Sequence, residues 1–122
     1  MKLSEVIQLA RVEKPNSFTD DHLTLHINSL EQSIQDYLGI DRSQWVKYEW
    51  ENDGGKELIA PPPYDQLYVL YLKAKIDYDL EEYESYQNNQ ALFEINYNDF
   101  KAWAMRSSMV IDDSPTRIKN WF

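Results

Sequence analysis

His22 and His26 lie four residues apart, one turn of a helix, with Asp20 and Asp21 just ahead of them. Imidazoles at that spacing can close on one metal ion. A structural zinc needs four ligands, however, and no second pair of this kind occurs in the chain. The two rings therefore read as ordinary residues of a polar helix face. Asp77 and Asp79 imitate half of a calcium loop, but the glycine and the distal glutamate are missing, since Glu82 and Glu84 fall at the wrong offsets. These two carboxylates read as solvated groups near a helix junction. Glu81, Glu82, Asp112 and Asp113 could be drawn as an acid–base pair. They sit in charge runs, which usually form solvated faces. A metal-dependent hydrolase using His22, His26 and nearby carboxylates is the chemistry these residues would support. It lacks a nucleophile–base pairing and a dinucleotide fingerprint. With three glycines, two of them adjacent at Gly54-Gly55, there is no loop to cradle phosphate either. The expectation is no enzyme, with no catalytic residue, no metal and no cofactor.

Composition narrows the remaining classes. A chain of 122 residues is one domain, large enough to bury a core without covalent staples. It contains no cysteine, so disulfides, thiolate nucleophiles and cysteine metal sites are excluded. No window approaches the roughly eighteen apolar residues of a membrane span, which predicts a soluble chain with no membrane partner. The net charge of −9 repels phosphate backbones and argues against tight DNA binding. Aromatic residues make up 14% of the chain, including nine Tyr and four Trp. Their apolar bodies and polar tips suit interfaces as well as cores.

The elements that would carry these residues are mostly helical. Ser4 is placed to cap a first helix over 4–13, which Pro15 ends. Thr19 caps a second helix with Asp20 and Asp21 in its first turn, and Phe18 and Leu23 are spaced for a hydrophobic staple. Leu23, Ile27, Leu30, Ile34 and Leu38 follow at helical spacing, and Gly39 suits the left-handed terminator. Residues 40–63 change character: Trp45 to Trp50 is aromatic and β-branched, and Asn52-Asp53-Gly54-Gly55 signals a turn. This predicts a small β-hairpin, or failing that an irregular extended insertion.

From Pro61 to Ser108 nearly every residue favours helix. Leu67, Tyr71, Ala74 and Tyr78 form one stripe, and Tyr86, Gln90, Phe93, Tyr97, Phe100 and Ala104 form another. One unbroken helix would be roughly 60 Å long, too long for so small a domain. The stripe falters at Tyr78 to Glu82, where Asp79 could cap a new helix. The reading is an antiparallel αα-hairpin of helices over 64–78 and 81–106. The whole is thus mainly all-α, a helical bundle on a long αα-hairpin. It divides as a helix pair (1–39), an insertion (40–63), the hairpin (64–107) and an extended C-terminal tail (108–122). Large apolar residues outside the expected core, the aromatic Trp45, Tyr48 and Trp50 in the insertion and Ile118, Trp121 and Phe122 in the tail, are candidate partner contacts.

The block Pro62-Pro63-Tyr64-Asp65-Gln66-Leu67-Tyr68 running on to Ile76-Asp77-Tyr78 resembles a segment of small tailed-phage head–tail connector proteins. Residues Glu82 to Phe93, Tyr97 to Trp103 and the Lys14-Pro15-Asn16 turn are similar as well, in the same order and spacing. Where those proteins often have Asn-Gly at the bend, this chain has Asp79-Leu80. The resemblance implies a mostly helical virion subunit that is assembled in the host cytoplasm. It would form a homo-oligomeric ring, dodecameric in such proteins, under the portal at the neck. Portal and neck or tail proteins would be its partners, and DNA would pass through without specific binding. The alternative from another class is an acidic DNA mimic that inhibits a host nucleic-acid enzyme, drawing on the same charge.

Overall fold

A computed structural model describes residues 1–107. In chain order these form α1 (Leu3–Glu13), α2 (Asp20–Tyr37), a 3₁₀ turn (Arg42–Gln44), the single-turn α3 (Trp50–Asp53), α4 (Gln66–Asp79) and α5 (Tyr83–Arg106). No strand occurs among the described residues, so the fold is all-α.

The start of α1 differs from the expectation that Ser4 caps it. Lys2 holds the cap position, and its N–H donates to Glu5 Oε1 at 3.1 Å. The next two donors, Leu3 N and Ser4 N, reach Lys56 O (3.1 Å) and Gly54 O (2.9 Å). A returning loop thus closes a helix end that would otherwise leave open N–H groups. At α2, Thr19 Oγ1 accepts from His22 N at 3.1 Å, as its N-cap position predicts. Its apolar stripe Leu23, Ile27, Leu30, Ile34 and Leu38 is buried throughout. Gly39 stands at φ 77°, with its N–H on Asp36 O and the Ile40 N–H on Gln35 O. That paired bonding is a Schellman ending, in which the left-handed residue is best a glycine.

Contacts at the helix ends give the directions. The Met1 ammonium lies 3.4 Å from Asp65, and Lys14 lies 2.7 Å from Asp77, so α1 and α4 run together. Arg11 meets Asp20 where α2 begins, and Tyr37, where it ends, donates to Lys101 O of α5. Tyr71 against Phe93 and Tyr64 against Phe100 and Trp103 set α4 and α5 antiparallel. The order is up, down, up, down, with α4 touching α1, α2 and α5. Leu67, Tyr68, Val69, Leu72, Ala74, Ile76 and Asp77 are all buried and encircle α4. A helix apolar all round is an interior rod. The single stripe read from the sequence describes only part of it, and its last member, Tyr78, is 61% exposed.

The bend also departs from the expected capping. Asp79 is the last residue of α4, and α5 starts after Glu82, whose side chain caps nothing. Three residues are needed to reverse the chain, and Glu81 takes the left-handed conformation, φ 60°. The Glu82 N–H closes the turn on Asp77 O at 2.9 Å.

Candidate interaction surface

The small β-hairpin considered for 40–63 is not formed. Within residues 45–49, Val46 and Tyr48 find their backbone hydrogen bonds on side chains of α2 instead of on a second strand. Asn28 Nδ2 donates to Tyr48 O (2.9 Å), while its Oδ1 accepts from Tyr48 N (2.8 Å). Gln35 treats Val46 the same way, Nε2 to O at 3.2 Å and Oε1 from N at 2.7 Å. Each amide side chain imitates a neighbouring strand's backbone, and the two bonded residues alternate along the segment as in a ladder. An isolated hairpin would be marginal in water. Asn52 and Asp53, read as turn residues, instead lie in α3, and Asp53 Oδ2 accepts from Glu49 N at 2.7 Å.

Between those amides on α2 sits Glu31, fully buried. Its Oε2 accepts from Tyr48 Oη and Ile59 N, both at 3.1 Å, and its Oε1 accepts from Tyr68 Oη. Tyr68 Oη in turn accepts from Ala60 N at 2.9 Å. One carboxylate thereby fixes the insertion to both α2 and α4. Burial raises the Glu31 pKa above its ordinary value, against the pull of its three donors. Burial and the neighbouring carboxylate push the Tyr48 and Tyr68 phenols up as well.

A second buried carboxylate holds the hairpin bend. Asp77 was expected to be solvated but is buried completely. Its Oδ2 accepts from Ser85 Oγ and Asn89 Nδ2, both at 2.7 Å, and its Oδ1 pairs with Lys14 at 2.7 Å. Lys14 also pairs with Glu82. Burial would raise the Asp77 pKa, yet Lys14, Ser85 and Asn89 together hold it below the usual carboxylate range. Asp79, by contrast, is exposed.

The sequence-derived interface residues divide in three ways. Tyr48 is committed to the interior, 5% exposed, and its phenol is spent on Glu31. Trp45 is half-buried, donates to Ile40 O at 2.8 Å and lies under the Arg42 guanidinium. Trp50 is half-buried and lines an open cleft of about 380 Å³ with Leu25, Asn28, Lys47 and Glu51. Ile118, Trp121 and Phe122 lie outside the described residues, as do Asp112 and Asp113. The Tyr-rich hairpin also suggests partner surface from its sequence, and the structure locates exposed apolar residues at its tip, where Tyr78, Leu80 and Tyr83 are each about half exposed or more. Leu92 and Ile95 add exposed apolar positions along α5. The misplaced end of the α4 stripe, at Tyr78, was the signal available for it.

His22 and His26 touch each other edge-on, and Phe18 stacks on His22. Burial, with His22 and Lys75 nearby, lowers the His26 pKa. Among the described residues no three His, Cys, Asp or Glu side chains gather as a metal ion would require. No helix among them is long and apolar enough to cross a membrane. Compared with protein-family models, with curated proteins and with solved structures, the chain matches none.

Proposed function

We propose that this chain is a non-enzymatic structural protein of a tailed-phage virion. It acts as a ring-forming head–tail connector that joins the portal to the neck and lines the DNA exit path. The observation that carries the reading is where the connector-like residues fall. Pro62 to Tyr78 is α4 with its entry, Glu82 to Phe93 opens α5, and the bend between them presents Tyr78, Leu80 and Tyr83 to solvent. Tyr78 packs edge-on against Tyr83 and Tyr86 within the tip, and the apolar surface that stays exposed at this end of the helix pair suits a partner protein. A ring subunit must offer two different complementary patches, and an acidic lumen would let phosphates pass without sticking. A DNA mimic would instead require carboxylates spaced like phosphates along one face. Here aromatic and aliphatic residues interrupt them.

The test is the mass of the species formed by the full chain, alone and mixed with a tailed-phage portal protein. A ring-sized assembly is expected in at least the second case, and a monomer indifferent to the portal overturns the reading. Deleting residues 116–122 should leave helical content nearly intact and impair assembly. If the shortened chain fails to fold, those residues belong to the core and not to an interface.

A further inference from the structure

We infer that the hairpin tip of one copy is the seat for residues 116–122 of the next copy. This rests on the ring-forming reading above and names the contact that would join its subunits. The tip offers Tyr78, Leu80 and Tyr83 as exposed apolar surface, with Asp79, Glu81, Glu82 and Glu84 interleaved. Lys14 answers Glu82 and Asp77 from below. His26 and Lys75 are the other groups of basic character near Asp79. No cation pairs with Asp79, Glu81 or Glu84 among the described residues. Beside these groups an open hollow of about 470 Å³ is lined by Glu82, Tyr83, Glu84, Ser85 and Asn88.

The segment Thr116-Arg117-Ile118-Lys119-Asn120-Trp121-Phe122 has the opposite character. It carries two of the chain's twelve cations, no acid and three large apolar residues. Cations set between apolar anchors match carboxylates set between exposed rings. Arg or Lys over a tyrosine face adds a favourable contact of its own.

Reach favours a neighbour over the same chain. The tip adjoins the first residue of α5, and the segment follows its last, about 36 Å away for 24 residues. Arg117 stands about eleven residues beyond Arg106, which spans about 36–40 Å only when fully extended. Bringing Arg117 back to its own tip would use all the slack in the intervening residues, whereas a second copy's tip makes no such demand. Because the seat adjoins the start of α5 and the segment follows its end in the sequence, such a contact joins two different patches, the head-to-tail kind that closes rings.

Two full-length charge reversals test this: Arg117→Glu with Lys119→Glu on one chain, Glu81→Lys with Glu84→Lys on another. Helicity should be unchanged in both. Each alone should self-associate at least about tenfold more weakly than the parent, by light scattering with and without portal protein. Mixed, the two should assemble again, because each then meets an opposite charge. As a direct readout, a Tyr83→Cys chain mixed with an Asn120→Cys chain should form mixed disulfides in preference to self-pairs, the parent having no cysteine. Reversals that leave a ring intact, or a mixture that stays apart, overturn the contact while the ring reading stands. So does a tail reversal that abolishes only portal binding, which would assign the segment to the portal. A parent chain that never assembles, even with portal, overturns both.

Discussion

The insertion and the hairpin bend are each pinned by one buried carboxylate, and the two are stabilised in opposite ways. Among the described residues no cation lies within ion-pair distance of Glu31, which is satisfied by two phenols and a backbone N–H. Asp77 has Lys14, a hydroxyl and an amide. Neutral donors do not fully offset the loss of water around a charge, so Glu31 binds its proton more readily than it would in the unfolded chain. A cation reverses that balance, so Asp77 binds its proton less readily. A buried acid is thus a register pin in both regions, but only the bend gains stability from the charge itself. The insertion gains specificity, since its backbone can be satisfied in one alignment alone.

The largest effect should come from Glu31→Ala. It orphans two buried phenols and the Ile59 N–H, at a cost of about 3–5 kcal/mol. Chemical denaturation should show it as a lower midpoint, and amide exchange should rise across 45–60. If residues 45–60 stay protected, the carboxylate does not hold them. Asp77→Ala should cost less, about 1–3 kcal/mol, because Lys14 is partly exposed and can return to water. Its exchange signature should be confined to residues near the bend.

The pH dependence should separate the two acids by sign. Folded Glu31 titrates above its ordinary value of 4.5, so its contribution is full below that pH and is lost as pH rises through the folded pKa. Asp77 titrates below its ordinary 3.8, so its contribution is present above that value and is lost as pH falls through the folded pKa. Denaturation midpoints measured against pH should therefore respond in different windows. Glu31→Gln should flatten the slope above pH 4.5, and Asp77→Asn should flatten the acid limb below pH 3.8. Matching changes in one window would erase the distinction. The smallest effect is a gain: Glu81→Gly relieves a left-handed non-glycine residue, offset by greater freedom in the unfolded chain. It should raise stability by about 0.5 kcal/mol. A loss would mean that the Glu81 side chain supports the bend.

Much of the helical framework was legible in local pattern. The stripe from Leu23 to Leu38, the Thr19 cap and the Gly39 terminator need only neighbours within a few residues. The candidate surface was less so. Tyr48 looked like a contact for partners because aromatic residues in an insertion suit interfaces, yet it faces Glu31, seventeen positions earlier. Asn28, Glu31 and Gln35 recur at helical spacing and are polar, which locally means a solvent face. They are buried because the insertion crosses them. Asp77 looked solvated because Ser85 and Asn89 come within reach only once the chain has reversed.

By itself the sequence determined that this protein is helical, cysteine-free and acidic, and where α2 begins and ends. Those properties depend on backbone preference and on hydrogen bonds between near neighbours. The tertiary structure alone decided that α4 is the interior rod, that the insertion bonds to side chains in place of a strand, and that Glu31 and Asp77 are fully removed from water. Each of these depends on groups brought together from distant parts of the chain, and the free energy of burying a polar group is set by what surrounds it.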